Sequence, residues 1–352
     1  MDVMMEQQAL WAAQVAAATD LSEARLTTCL AAILLATSQH PSASIPHAAG
    51  DSGQTKGAYR FDGNPRLTPA ALHLGIAADT ARRCLEQDVL LVVQDTTTLN
   101  FTGLRSIAEL GPIDSGGRAR GVPLHTALAV TASGQVVGIL DQQYGARPLP
   151  GQPGPEEKES SKWIHGLEAA RAALDEAAGD RPVPRLIHVI DCEGDAYEVM
   201  MAVVDAGDSA IIRRAQNRRV DDPLERAHQA VRSRPVLDRA EVAVGCTAGV
   251  PGRRATVELR SMRVTLLPDL EKYPHAWAMT WNLVEVWEPE PPPGTEPVHW
   301  LLWTLEPAVT LAEALEMVRK HTCRWPIEEF HVNSPPGFSL KFPYDIRTVQ
   351  VM

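Results

Sequence analysis

Three acidic residues of this 352-residue chain stand where carboxylates could act together. Asp95 follows the apolar run Asp88–Gln94, and Asp191 follows a second run, Arg185–Ile190. Glu328 lies on a late segment with a helical pattern. The two runs are typical of buried strands, and functional groups gather outside the carboxyl ends of strands in open α/β sheets. Three carboxylates at one place repel one another, so this pattern favours a site for a hard divalent ion such as Mg²⁺ or Mn²⁺.

Each acid also has an ordinary structural explanation. Asp95 precedes three threonines and could cap a turn, and an isolated acid after a strand is more often a turn residue than a metal ligand. Spacing alone leaves both interpretations open. If the acids hold two ions about 3.5–4 Å apart, the chemistry would be phosphoryl transfer, with one oxygen activated for attack and another stabilised as it leaves.

Helices and strands alternate along the part of the chain that must position these acids. Helical patterns cover residues 7–37 and Thr68–Gln87. Strands are predicted at Asp88–Gln94, Leu124–Val130, Val136–Leu140, Arg185–Ile190 and Ala210–Arg213, and helices at Ser160–Ala178 and Ala196–Val204. This order predicts an α/β fold in which helices flank a mixed sheet.

Residues 220–300 have a different character and predict a β-rich insertion. Strand-like alternation recurs there at Ala240–Val244, Ala255–Leu267 and Ala276–Val286. The fold is expected to resume with a strand at Trp300–Leu305 and a helix at Leu311–Thr322. Near the N-terminus, His40–Asn64 is rich in Gly, Pro and Ser and predicts mostly loop.

Composition limits the classes of function. The net charge of −11 weakens any case for whole-surface attraction to nucleic acid but leaves room for a local basic groove. Five cysteines without a CxxC motif indicate reduced thiols. The longest apolar run, Cys29–Ala36, is far short of the ~20 residues that span a bilayer, and the N-terminus has no basic secretory region. A cytoplasmic protein that does not use a membrane is expected.

Short motifs follow one another in a fixed order over roughly residues 10–331. They are GAYRF (57–61) with NP (64–65), DTT (95–97), ELGPI (109–113), KES (158–160) with KW (162–163), DCEGD (191–195), IR (212–213), WLL (300–302) with Thr304 and EP (306–307), and RWPIEEF (324–330). Each motif is weak alone. In this order, the set resembles the cut-and-paste DDE transposases of bacterial insertion sequences, the group that includes the transposon-five transposase.

The resemblance implies a ribonuclease-H-like mixed sheet with flanking helices over residues 71–331, including the β-rich insertion. A small helical DNA-binding domain over residues 1–70 would precede it. Asp95, Asp191 and Glu328 would be the catalytic triad and would bind two Mg²⁺ ions, for which Mn²⁺ could substitute. The implied reaction is hydrolysis of a phosphodiester at a transposon end, followed by attack of the freed 3′-OH on the opposite strand and later on target DNA.

The implied partner is double-stranded DNA, at the transposon ends and at the target, with a homodimer in synapsis. The residues expected to contact DNA are Tyr59, Arg60, Lys162, Arg213, Trp300 and Arg324. Trp300 would stack near a flipped base, a role that suits an indole because stacking tolerates any base. The plain alternatives are a core tryptophan at 300, packing through Tyr59 and Phe61, and solvent-exposed charge at Lys162.

The match stops after His331. Residues 332–352 do not resemble the family, and Pro335-Pro336 predict the end of the helix that carries Glu328. His321 stands where the family has tyrosine, and Cys192 stands where it has arginine. We therefore expect a truncated or frameshifted transposase. The alternatives are a non-catalytic DNA-binding remnant that inhibits transposition and a stand-alone metal-dependent nuclease.

Overall fold

The computed structural model describes residues 3–40, 43–103, 110–114, 116–148, 158, 160–244 and 252–333. The helices are α1 Val3–Ala18, α2 Ala24–Gln39, α3 Ile45–Ala49, α4 Ser52–Asp62, α5 Pro69–Cys84, α6 Ser161–Ala178, α7 Tyr197–Asp205, α8 Ala227–Arg232, α9 Leu311–Thr322 and α10 Trp325–Asn333. The strands are β1 Val89–Asn100, β2 Gly111–Pro112, β3 Arg120–Thr131, β4 Val136–Tyr144, β5 Arg185–Ile190, β6 Ser209–Arg213, β7 Asp238–Val244, β8 Arg253–Leu266, β9 Met279–Trp287 and β10 His299–Thr304. Among the helices described, none is long and apolar enough to cross a bilayer.

Ten strands form one mixed sheet, as the α/β prediction requires. The strand order is β2-β3-β1-β5-β6-β10-β9-β8-β7, and β4 also pairs with β3. Strands β1, β5 and β6 run parallel, and the other pairings are antiparallel. The predicted β3–β4 hairpin is confirmed. Residues 220–300 contribute β7, β8 and β9, which continue this same sheet beyond β10.

The pairing register brings one position from each parallel strand into a row. Gln94 pairs with Ile190, and Ile190 pairs with Ile212, so the next residues along the three strands are Asp95, Asp191 and Arg213. Parallel strands lie about 4.8 Å apart, so the two aspartates are neighbours at one edge of the sheet. Residues almost 100 positions apart in the chain therefore meet there.

The prediction that Asp95 follows the end of its strand is wrong. Strand β1 continues to Asn100 because β3 goes on pairing with it after β5 has ended, from Asp95 opposite Thr126 to Asn100 opposite Gly121. Asp95 thus lies inside a strand that is hydrogen-bonded on one side. Its backbone is held more rigidly than a loop residue would be.

The continuous apolar run in β1 is explained by burial on both faces of the sheet. Leu91 and Val93 belong to a hydrophobic cluster that also contains residues of α1 and α2, whereas Leu90 and Val92 belong to a cluster with α5 and α6. Successive strand residues point to opposite faces, so an apolar residue is needed at every position. This packing fixes the strand that carries Asp95.

The predicted loop at His40–Asn64 is wrong, because α3 and α4 occupy much of it. The Asp51 carboxylate caps α4 by accepting hydrogen bonds from the backbone N–H groups of Gly53 and Gln54, at 2.7 and 2.8 Å. Ala58 and Phe61 are buried on the inner side of α4. Capping and packing outweigh the low helix propensity that the composition indicated.

The N-terminal helices approach the core closely at Gly75. A Cβ atom added to this residue of α5 would lie 1.9 Å from Oγ1 of Thr19, just after α1, and 2.8 Å from its Cβ. Thr19 is itself buried, so it has little room to move. Glycine at position 75 therefore allows the contact between α1 and α5.

We expect Gly75→Ala to lower the free energy of unfolding by about 1–3 kcal/mol, because overpacking forces the two helices apart. Gly57→Ala is the matched control, since a Cβ on that residue of α4 meets nothing within 4 Å. The control should stabilise by about 0.5–1 kcal/mol through helix propensity. Urea denaturation measures both, and equal effects of the two substitutions would contradict the close contact.

Candidate functional site

The two aspartates of the register row are held by local hydrogen bonds. The N–H of Thr96 donates to Oδ1 of Asp95 at 2.8 Å, and Asp95 is buried. The N–H of Glu193 donates to Oδ1 of Asp191 at 2.9 Å, which caps the short 3-10 turn Cys192–Gly194. Each carboxylate thus has one oxygen bound to the backbone.

Arg324 links Asp95 to the third acid. Its Nη1 lies 3.2 Å from Oδ2 of Asp95, and its Nη2 lies 2.8 Å from Oε1 of Glu328. Arg324 precedes α10 and Glu328 lies on it one turn later, so the two share a face as predicted. Helix α10 packs against β1. The structure thus brings Asp95 and Glu328 to the same guanidinium.

The carboxylates make an electrostatically unfavourable group. Burial raises the pKa of Asp95 to about 7; Arg324 opposes that rise, and Asp191 and Glu328 add to it. One guanidinium therefore does not fully compensate the three acids. Negative charge accumulates at this point of the sheet edge.

The donor set of this group fits a hard divalent ion. Asp95, Asp191 and Glu328 offer carboxylate oxygens, which Mg²⁺ and Mn²⁺ prefer. The positive charge of Arg324 lies between two of the three carboxylates, where it relieves their mutual repulsion. A divalent ion bound to these residues would relieve the same repulsion more strongly.

Two histidines beside the carboxylates were not indicated by any sequence pattern. Nδ1 of His331 lies 3.9 Å from Oδ2 of Asp95, and burial lowers the pKa of His331 to about 4. His125 lies between Thr96 Oγ1, 2.9 Å from its Nδ1, and Gln94 Oε1, 3.1 Å from its Nε2. Strand register and helix packing, rather than spacing, place them there. The His331 ring borders Asp95, whereas the His125 ring lies on the other face of β1, bonded to the residues on either side of Asp95.

Two of the predicted DNA contacts lie on α4 and point outward. Tyr59 is 54% exposed and Arg60 is also exposed, whereas Phe61 is buried. Of the two packing residues considered in the sequence, only Phe61 therefore serves the core. Tyr59 and Arg60 are accessible to a large partner.

Lys162 and Arg213 lie at the carboxylate edge. The Lys162 side chain is 18% exposed, so it is not a fully solvated charge, and its Nζ is 3.9 Å from Oε2 of Glu193. Arg213 ends β6 in the row next to Asp191. Burial raises the pKa of the neighbouring Cys192 thiol, and Arg213 opposes that rise. Arg213 is thus placed beside the second aspartate, and Lys162 beside Glu193, two residues farther along.

Trp300 is half-buried at the start of β10. It packs against the apolar cluster that includes α9, and its ring centroid lies 5.6 Å from that of His321. Trp300 was considered either as a core residue or as a residue that stacks on a base. Its position is compatible with both, since part of the indole belongs to the core and part is accessible. His321 is buried, and within the part of the chain that is described neither of its ring nitrogens has a hydrogen-bond partner.

Residues 8–67 match the family model of the transposase DNA-binding domain. The matched segment contains α2, α3 and α4, with Tyr59 and Arg60. This match supports DNA binding and a transposase.

One solved structure similar to this chain is a piggyBac transposase in a cryo-EM synaptic complex with hairpin DNA. The sequences are 10% identical, the TM-score is 0.43, and the similarity covers 99% of this chain and 71% of that chain. A likeness this distant carries no argument about fold or activity.

Some of the predicted features fall outside the described residues. These are Glu109 and Glu159 of the motifs, and the tail beyond Asn333 with Pro335-Pro336.

We expect Arg324→Ala to lower the free energy of unfolding by about 2 kcal/mol in metal-free buffer, because it leaves Asp95 and Glu328 without their shared partner. The Arg324 and Asp95 side chains are 17% and 10% exposed. Arg254→Ala removes an exposed ion pair with Glu241 and should have a much smaller effect. Thermal and urea unfolding of both variants provide the measurement. Equal destabilisation would show that the bridge does not hold the carboxylates.

Buried His321 gives a pH-dependent expectation. Burial, with Arg324 and Arg213, lowers its folded pKa to about 3, so the ring is neutral when folded and protonates on unfolding below pH ~6.5. The stability it contributes is present above pH 6.5 and is lost as pH falls toward 3, by about 2 kcal/mol at pH 5. His321→Met should remove that part of the loss between pH 7.5 and 5. The prediction would be contradicted if the wild type and His321→Met gave parallel curves of unfolding free energy against pH.

Proposed function

We propose that this chain is a DDE-type transposase that cleaves DNA and joins it through Asp95, Asp191 and Glu328. The observation that carries the proposal is the meeting of these acids: register places Asp95 beside Asp191, and Arg324 binds Asp95 and Glu328 together. The match of residues 8–67 to the transposase DNA-binding domain supports DNA as the partner.

The ribonuclease-H-like core is part of this proposal. Its support is the sequence resemblance together with the position of β1, which lies between an antiparallel neighbour, β3, and a parallel one, β5, and carries Asp95 just past the end of β5. Such a strand is buried on both faces and paired along most of its length. It can hold a catalytic carboxylate in a fixed position, as metal-dependent chemistry requires.

The three acids would hold two Mg²⁺ ions. When bound, such ions activate the attacking oxygen and stabilise the leaving oxygen of the phosphodiester. The chain's own residues would then bind and orient the DNA. Arg324, no longer needed to balance Asp95 and Glu328, would offer its planar fork to a phosphate. Arg213 and Lys162 would neutralise phosphates beside Asp191.

DNA contacts outside the carboxylate group would come from α4 and β10. Tyr59 and Arg60 are exposed on α4, and Trp300 offers the accessible part of an indole to an unstacked base. Transposon ends and target DNA are the partners under this proposal. A homodimer in synapsis and a cytoplasmic, nucleoid-associated location belong to it as well.

We expect Asp191→Asn to lower the rate of cleavage on the order of 100-fold or more, because one metal ligand is lost. The substrate is a supercoiled plasmid that carries a duplex first selected for binding by the full chain without divalent ions. Cleavage with Mg²⁺ and joining to a second plasmid are followed on gels. Asp180→Asn is the matched control, since that exposed acid lies before β5, at its opposite end.

The outcomes separate the alternatives. Cleavage with joining supports the transposase, and cleavage without joining indicates a stand-alone nuclease. Binding of the selected duplex without cleavage indicates a non-catalytic remnant. Full cleavage by Asp191→Asn would refute both catalytic functions.

A further inference from the structure

A second cluster of polar side chains lies on the part of the sheet formed by β8, β9 and β10, under α8. Its centre is Glu285 on β9, which is completely buried. The carboxylate Oε1 lies 3.2 Å from Nη1 of Arg232 and 3.3 Å from Nε2 of His299. Oε2 lies 3.3 Å from Nη1 of Arg260, and Nε2 of His228 lies 3.8 Å from Oε1. None of the DNA contacts predicted from the sequence belongs to this cluster.

Positive charge exceeds negative charge in this cluster. Arg232 and Arg260 bind Glu285, and Arg214 lies near enough to interact with it electrostatically. Glu258 also binds Arg260, and Asp195, which acts on Arg214 more strongly than Glu285 does, is itself bound by Arg218. The surplus therefore resides on Arg214 and Arg232. Nε of Arg214 is buried and has no hydrogen-bond partner among the residues described.

The pKa of the neighbouring His228 is affected by these charges. Burial lowers the pKa of His228, and Arg214, His299 and Arg232 lower it further, against the opposing effect of Glu285. Burial is the largest cause of this shift, and the surrounding cations add to it, so the charges at the cluster disfavour an added cation more than an added anion.

Arg232 is held in a defined orientation and remains accessible. Its guanidinium lies over the Trp287 ring, 4.6 Å from the centroid, and the His299 ring meets the same indole edge-on at 5.0 Å. The Arg232 side chain is 39% exposed. Because the stacked guanidinium is planar and already oriented, it loses little freedom when it binds a phosphate. Two of its parallel N–H groups can then donate to two phosphate oxygens.

The cluster lies toward the same edge of the sheet as the carboxylates but on the opposite face, because Glu285 shares a face with Leu283 whereas Asp95 shares one with Val93. Arg213 pairs with Leu302, and His299 pairs with Trp287 three residues farther out on β10. Strand β9 is the fourth strand from β1, so it lies about 19 Å along the edge. About six base pairs of duplex span that distance at ~3.4 Å each. A duplex that lies across this edge, rather than on one face of the sheet, would reach both places.

The same residues also bring three possible metal-ligand atoms close together. Ligand atoms of His228, Glu285 and His299 lie within 4.8 Å of one another. Both oxygens of Glu285 are already bound by guanidinium groups, however. A divalent cation would have to enter against those charges, whereas a phosphate would be attracted by them.

We propose that Arg232, together with Arg214, His228 and His299, binds a phosphodiester of the DNA backbone, and that this contact guides the duplex toward the carboxylate edge. The inference rests on the proposed function in taking DNA as the ligand. It adds a DNA-binding surface on the β8–β10 region that is independent of the three acids. Arg232 is its principal cation because it is oriented and exposed.

The test is binding of the full chain to a labelled 40-base-pair duplex of mixed sequence, in EDTA, by fluorescence anisotropy over a series of salt concentrations. Arg232→Gln should make the slope of log K against log salt shallower by about 0.9, with roughly eightfold weaker binding at 0.1 M salt. Arg232→Lys should keep the slope. Arg181→Gln, an exposed arginine before the opposite end of β5, should leave slope and affinity unchanged.

Thermal unfolding in parallel establishes that each variant is folded. A slope for Arg232→Gln equal to that of Arg181→Gln would overturn the proposal. The proposal would also be overturned if EDTA abolished DNA binding and Zn²⁺ restored it in the wild type but not in a variant that lacks His299. That result indicates a metal site. Displacement of DNA by submillimolar inorganic phosphate would assign the cluster to a free anion instead. A changed slope without any cleavage activity would leave this contact standing and refute only the catalytic proposal.

Discussion

The mutual repulsion of three carboxylates at one edge of the sheet is the constraint around which the site is organised. A paired and buried β1 is needed to keep Asp95 beside Asp191, and α10 must pack against β1 to bring Glu328 to them. Without a metal, Arg324 offsets part of this repulsion by binding Asp95 and Glu328. The pKa of Asp95 is raised to about 7, so Arg324 offsets burial and the other two acids only in part.

Positive charge is distributed along that edge although the chain as a whole carries a net charge of −11. Arg213 stands in the row beside Asp191, and the cluster around Arg232 and Arg214 lies farther along. Local fields of this kind attract a polyanion to one edge while the rest of the surface repels it. Under the proposed function, the acids bind the catalytic metal ions and the cations bind and orient the duplex.

The sequence was sufficient for the elements with strong periodicity. The helix Leu311–Thr322 and the strand Arg185–Ile190 have the predicted bounds, because each combines a clear apolar pattern with definite ends. Helix α4 was missed because its stability comes from the Asp51 cap and from buried Phe61 rather than from propensity. His331 and the Glu285 cluster were beyond prediction, since strand register and helix docking join residues that no local pattern connects.

Binding of Mn²⁺ to the full chain, followed by electron paramagnetic resonance, tests most directly whether the three acids form one metal site. The wild-type chain should bind Mn²⁺, and Asp95→Asn, Asp191→Asn and Glu328→Gln should each weaken that binding at least tenfold. Asp180→Asn should bind as the wild type does. Unchanged binding by Glu328→Gln would show that the helix-borne acid is not a ligand, and would contradict the three-carboxylate site.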